Sequence, residues 1–314
     1  MVSRENALLA NNILLVAALV VVLLGTLLPL VHKQLGLGSV SIGEPFFNLL
    51  FTWLSVPFVF LLGIGPLIRW KRDNLGKVKK ELIVSGVLSV VLGIALVWIF
   101  ADKFMPLAAL GAVMGLWVII TQSIEVYQRA THRHDLVTGL GKLGRSHWAM
   151  VLGHIGLAVS VLGIAMVQNY DIERDVKMAP GDRIVMQGYE FHFAGLRDKD
   201  GPNYDGYIAD FDIYKNNKRV NTLHAEKRFY NVQRSMMTEA AIDRGITRDL
   251  YVAMGERLPD GSWAVRIYYK PFVRWIWFGA VLMSIGGLFA MSDKRYRFRQ
   301  KSKSAVSAEP VKEV

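Results

Sequence analysis

The sequence predicts an α-helical polytopic membrane protein of about six transmembrane helices with one small antiparallel β extracytoplasmic domain. Three observations predict it. Of the 314 residues, 52% are apolar and only 20% charged, and the mean hydropathy is +0.29, a balance that soluble domains rarely carry. Six apolar runs have the length of about 20 residues that a bilayer core needs. Between the fifth and sixth runs, the pattern switches to the period-two alternation of strands.

The runs are Leu8–Val31, Phe46–Ile68, Glu81–Phe100, Met105–Val126, Trp148–Val167 and Phe272–Met291. The first exceeds the core of about 7–15 residues typical of a signal peptide, and no small-residue cleavage pattern follows it, so it reads as a retained span. Prolines and glycines interrupt the second run at Ser55-Val56-Pro57 and Gly63-Ile64-Gly65-Pro66, a pattern that some secondary transporters share. Against a transporter, the six runs show no internal repeat and carry few charges.

Sidedness follows from the positive residues, which cytoplasmic loops retain during insertion. Segment Arg69–Lys80 holds six Lys/Arg, Gln128–His147 four and Ser292–Val314 seven, whereas His32–Pro45 and Ala101–Phe104 hold one each. Both termini are therefore expected in the cytoplasm. The stretch Asp171–Lys270 is then expected on the outer face, and its 16 Lys/Arg balance its 16 Asp/Glu. The net charge of +11 thus belongs to loops and tail, where membrane lipid is its natural partner and no nucleic acid need be invoked. The resulting division is a five-helix region at 1–168, a β domain at 169–270, a sixth helix at 271–291 and a basic cytoplasmic tail at 292–314.

Within the β domain, Tyr189–Phe193 and Tyr207–Tyr214 alternate as half-buried strands. Lys215-Asn216-Asn217-Lys218 turns the chain into another extended run to Tyr230. Leu250–Arg257, the turn Pro259-Asp260-Gly261 and Trp263–Tyr269 read as a hairpin, and Met236–Arg244 as a short helix. No nucleotide loop or catalytic Ser/His/Asp spacing appears in it, so docking is the expected work of this domain.

The chain has no Cys, which excludes thiol chemistry, disulfide staples and Cys-ligated metals of its own. Of seven His, only His154 lies well inside a predicted span, about 10 Å beyond His147 at 1.5 Å per residue. An ionisable residue at that depth is costly unless it is partnered or ligating. It can be a neutral imidazole bonded across helices or an axial haem ligand. Gly153 and Gly156 beside it allow close approach of a flat ring or another helix. His147 lies seven residues away on the same helical face, so both cannot ligate one iron from opposite sides. His147 is expected at the interface, His132 and His134 in a loop, His32 at the outer end of span one, and His192 and His224 in strands. Asn11-Asn12 and Arg274 near Trp275 and Trp277 read as interfacial anchors.

Several ordered blocks extend the reading: Ser3-Arg4-Glu5, Leu8-Leu9-Ala10-Asn11-Asn12, Leu24-Gly25-Thr26-Leu27-Leu28-Pro29 and Ser41-Ile42-Gly43-Glu44-Pro45-Phe46-Phe47-Asn48. Trp148-Ala149-Met150-Val151-Leu152-Gly153-His154, Glu173-Arg174-Asp175-Val176, Ala225-Glu226-Lys227-Arg228, Met236–Asp249 and Tyr269–Trp275 follow. From Ser3 to about Arg297 the chain resembles the C-terminal half of the CcmF family, the haem lyases of bacterial cytochrome c maturation; the nitrite-reductase paralogue NrfE shares that architecture.

The resemblance implies a role for the chain in attaching haem to apocytochrome c on the periplasmic side of the bacterial inner membrane. It implies a CcmE-type haem chaperone, a CcmH-type thiol-redox subunit and an N-terminal CcmF-type half as partners. By the Trp-x-Met-Val-x-x-His context, it places the family's second intramembrane His, an axial ligand of haem b, on His154. The family's Trp-rich haem-handling segment, the outer-face His flanking it and the first intramembrane His have no counterpart here, and no Trp-Trp pair occurs. The resemblance therefore implies that the second axial ligand comes from the N-terminal half and that this chain is not active alone. A non-catalytic membrane scaffold for cytochrome assembly is the alternative.

Overall fold

The computed structural model describes residues 3–68 and 75–293. The basic tail, apart from Ser292 and Asp293, and the first six residues of the Arg69–Lys80 loop lie outside the described residues. Helices α1 (Arg4–Gln34), α2 (Glu44–Ile64), α3 (Leu75–Phe100), α4 (Pro106–Thr131), α5 (Leu136–Lys142), α6 (Arg145–Tyr170) and α7 (Val273–Met291) bracket nine strands between α6 and α7. All but α5 are long and apolar enough to cross a membrane. The described residues form two compact units: α1 to α5 with α6 as far as Leu162 and α7 from Phe278, and Gly163–Trp277.

In the helical unit, α1 begins at Ser3, whose hydroxyl accepts from Asn6 N at 3.2 Å, and α2 begins after Gly43 with Pro45 in its first turn. Helix α2 continues through Pro57 and tightens into a 3-10 turn at Gly65–Leu67, so the first proposed break is absent and the second is a change of pitch. Small residues set the close contacts. A Cβ at Gly63 would fall 2.2 Å from Trp117 Nε1, one at Gly93 2.7 Å from Val113, and one at Gly115 2.9 Å from Ala158 O. Helix α4 thus touches α2, α3 and α6 where bulk is missing, as expected where lipid is as apolar as the side chains and packing must drive association. Trp117 stacks on Phe60 with centroids 5.6 Å apart and donates Nε1–H to Phe60 O at 3.1 Å.

The segment expected to be a loop between α4 and α6 contains helix α5. Asp135 caps it by accepting from Thr138 N at 3.1 Å, and Gly139 leaves no room for a Cβ against Ala130 O.

The second unit is a β-sandwich of two antiparallel sheets. One has the order β1 (Ile172–Met178), β9 (Trp263–Pro271), β8 (Arg248–Arg257), β7 (Ala241–Arg244). The other runs β2 (Arg183–Met186), β3 (Tyr189–Asp200), β4 (Tyr204–Lys215), β5 (Lys218–Tyr230), β6 (Ser235–Glu239). Alternation drives the assembly: Phe191, Phe193, Phe211, Ile213 and Leu223 of one sheet and Leu250, Val252, Met254, Val265 and Ile267 of the other are buried in one core. Phe193 and Phe211 are cross-strand partners whose rings stack at 4.7 Å. The Asn216-Asn217 turn has positive φ at both residues, the tight-hairpin geometry that Asn tolerates.

The helix expected at Met236–Arg244 is instead parts of two strands. Residues 235–239 pair with β5 and 241–244 with β8, and Thr238 Oγ1 donates to Met254 O at 2.9 Å. Met, Glu and Ala favour a helix locally, but the edges of two sheets offer this segment ladder partners, and tertiary pairing overrides the propensity.

Gly156 and Gly153 separate packing from open space. A Cβ on Gly156 would lie 2.6 Å from Gly279 O and 2.8 Å from Met283, whereas one on Gly153 would meet nothing within 4 Å. Gly156→Val is expected to cost about 1–3 kcal/mol of stability by overpacking the α6–α7 contact. Gly153→Ala is expected to leave the thermal midpoint of the detergent-solubilised protein unchanged or to raise it slightly, since Ala is the better helix former in open space, and unfolding scans of the two variants check the contrast.

Candidate functional site

Helix α4 is apolar for most of its length, yet Gln122, Glu125 and Arg129 share one face at spacings of three and four. Helix α6 presents His147 and His154 two turns apart. The two stripes meet. Gln122 Nε2 lies 3.0 Å from His154 Nδ1, and its side chain has no exposed surface. Farther along, Glu125 Oε2 is 3.2 Å from His147 Nε2, and Glu125 Oε1 is 2.8 Å from the Arg129 guanidinium. Side-chain exposure is only 6% for Glu125 and 9% for His147, so this is a buried polar stripe. Arg4, in the first turn of α1, reaches α6 through a 3.3 Å contact with Met150 Sδ.

His154 therefore sits in the helix and among the partners that make an intramembrane imidazole tolerable. Its ring is half-buried, and Nδ1 is the nitrogen engaged by Gln122. Of the two neighbouring glycines, Gly156 is filled by α7, and Gly153 is the one with room beside it. Among the described residues, no group of three or more His, Asp or Glu is placed to hold a metal. Gln122 Oε1, on the amide that meets the ring, is buried and lacks a hydrogen-bond partner among the described residues.

The other histidines spread out. His147 lies in the first turn of α6 as expected for the interface, but it faces a carboxylate rather than water. His132 and His134 line an open cavity of about 290 Å³ with Arg129, Arg133, Lys142 and His147. His32 Nδ1 is 3.0 Å from Gly38 O at an exposed position. His192 is on β3, and His224 on β5 has Nδ1 2.5 Å from Asp210 Oδ1. Asn11 is buried in α1 and Asn12 is exposed, and Arg274 pairs with buried Asp249 at 3.3 Å while Trp275 donates to Ile246 O at 3.1 Å.

Sequence reasoning missed Gln122 and Glu125. The signal was present: two polar residues three apart in the middle of an apolar run share a face, and a buried face is the only cheap place for them.

Comparison with known proteins gives the site its context. Residues 169–271 match the family model described as the CcmF C-terminal beta-sandwich. The chain is 52% identical over 297 residues to the cytochrome c-type biogenesis protein CcmF of Escherichia coli K12, covering 95% of this chain and 45% of that protein. It is 44% identical to CcmF of Pseudomonas fluorescens, with 96% and 45% covered, and 30% identical to NrfE of Haemophilus influenzae, with 94% and 45% covered. A solved structure named cytochrome c heme lyase CcmF has the same fold, with a TM-score of 0.76 at 22% identity over 93% of this chain and 46% of that one. The chain thus spans about half the length of the curated relatives it matches.

The β-sandwich surface carries paired carboxylates. Partial burial would raise the pKa of Asp210, but hydrogen bonds from Arg197 at 3.1 Å and His224 outweigh it and hold it below the ordinary value. Glu226 is held down in the same way, against its burial, by Lys199 at 2.7 Å and Arg228 at 2.8 Å. Both folded values are depressed, so their contribution is complete above the unfolded pKa and disappears as pH falls through the folded one. The thermal midpoint of the strand circular-dichroism signal is expected to lose that contribution below about pH 4. Arg197→Met is expected to flatten that acid limb.

Proposed function

We propose, on the premise that this chain is similar to CcmF over nearly its whole length, that it forms the C-terminal part of a cytochrome c haem lyase. In this reading His154 would hold the iron of a haem b within the membrane through an imidazole nitrogen. The observation that carries it is the arrangement at His154: an imidazole in mid-helix whose Nδ1 meets Gln122, which leaves Nε2 for an iron, with open space where a Cβ on Gly153 would point. Neutral imidazole suits haem iron, and a His on another helix would complete a bis-His site. That second helix is assigned to the N-terminal half of the lyase. When bound, the haem would supply a one-electron couple that keeps incoming haem iron reduced.

The residues present fit the group. His154 brings a nitrogen donor, Gln122 a hydrogen-bonding partner behind it, and Gly153 open space in the direction its absent Cβ would take. Trp117 of α4 and Phe60 of α2 close the α2–α4 contact five residues from Gln122. Gly156 contributes indirectly, by seating α7 against α6.

The orientation follows from the charge asymmetry of the loops: a bacterial inner-membrane chain with both termini cytoplasmic and the β-sandwich in the periplasm. There the sandwich would meet a CcmE-type haem chaperone, a CcmH-type thiol-redox subunit and apocytochrome c, whose own Cys provide the thiols that this chain does not have.

The reading is tested in cells lacking their own lyase. Holocytochrome c, scored by covalent haem stain, is expected when this chain is produced with an N-terminal CcmF half, and a large loss is expected for His154→Ala at equal protein level. Maturation by the chain without any N-terminal half would contradict the shared-lyase reading. Full activity of His154→Ala would contradict the ligand assignment.

A further inference from the structure

Building on His154 as the haem ligand, we propose that Gln122 is its positioning residue: the Gln122 amide fixes which imidazole nitrogen carries the proton. A neutral imidazole has one protonated and one bare nitrogen, and only a bare nitrogen can bind iron. Nδ1 is the nitrogen turned toward Gln122, so Nε2 is the one left for iron. Ligation through Nε2 then requires the proton on Nδ1 and an acceptor opposite it.

Gln122 carries both kinds of group on one carbon. With its NH2 at 3.0 Å from Nδ1, Gln122 donates, Nδ1 accepts and the imidazole proton sits on Nε2, the arrangement that blocks ligation. Rotation of the amide about Cγ–Cδ exchanges the two ends. It puts Oε1 against Nδ1–H and frees the Nε2 lone pair. Oε1 is the atom that is buried without a partner in the present orientation, so the rotation supplies it with a donor. No proton leaves the site in this change: the imidazole proton moves from Nε2 to Nδ1, and the amide keeps both of its own.

The neighbours make Gln122 the residue for this task. The next polar side chain along α4, Glu125, is engaged one turn away with His147 and Arg129. Met150 on α6, one turn from His154, offers a thioether that is already contacted by Arg4. An amide can serve as donor or acceptor without a net charge, which is the least costly way to do both inside a membrane.

The test uses the haem-loaded complex of this chain with an N-terminal CcmF half, comparing wild type with Gln122→Met, Gln122→Glu and His154→Ala. Gln122→Met keeps the volume and removes the acceptor. It is expected to weaken haem retention 10–100-fold, the usual cost of losing such a partner, and to raise the midpoint potential. Gln122→Glu keeps an acceptor oxygen and is expected to retain haem with a potential below that of Gln122→Met, a rescue that a purely space-filling role would not give. Haem per mole of folded protein and equilibrium potentials are read in each sample. Wild-type retention and potential in Gln122→Met would overturn the proposal, as would equal potentials in the Met and Glu variants. Full haem in His154→Ala would instead overturn the ligand assignment, so the two failures are distinguishable.

Discussion

A polar side chain in hydrocarbon must find its partner inside the protein, and the helical unit is organised by that constraint. Gln122 and Glu125 on α4 are tolerable because α6 brings His154 and His147 to meet them. The encounter needs α4 and α6 close together, and Gly115 provides it by leaving space for Ala158 and Leu162. Trp117 closes the neighbouring contact by using its one donor on Phe60 O. The small residues and the polar residues therefore act in concert: the former allow approach, the latter make a particular approach favourable.

The same constraint gives His154 its chemistry. In water an imidazole exchanges tautomers freely, whereas here Nδ1 faces the Gln122 amide. The α4 residue behind the ring decides whether the other nitrogen presents a hydrogen or a lone pair. The stripe continues through Glu125, His147 and Arg129 to the end of the helix pair, so the ring is the deepest member of a buried polar series rather than an isolated histidine. The β-sandwich is built differently, on two alternating apolar faces and on surface ion pairs such as Arg197–Asp210 and Lys199–Glu226.

Much of this was legible in the sequence. The six spans follow from length and composition, and helices α1 to α4, α6 and α7 occupy them. Period-two alternation gave the long strands, and the Asn216-Asn217 turn gave their hairpin, because burial on one face and positive φ leave direct marks on residue choice. Met236–Arg244 has helix-favouring residues yet forms strands, because pairing with β5 and β8 is a long-range effect that local composition hides. At the site, His154 announced itself through depth in the span, but Gln122 did not, since its meaning depends on the face of α6 it meets. Gly156 was ambiguous between ring and helix, and its contact with Gly279 shows that helix packing takes up its space. The similarity to CcmF was carried by dispersed blocks, and the matches over 95% and 93% of the chain agree with it.

The most direct measurement of the central claim is a reduced-minus-oxidised optical spectrum of the purified complex between this chain and an N-terminal CcmF half, for wild type and His154→Ala at equal protein. The account predicts a b-type spectrum in the wild-type complex that is lost in the variant while the two halves still co-purify. An unchanged spectrum in His154→Ala would contradict it.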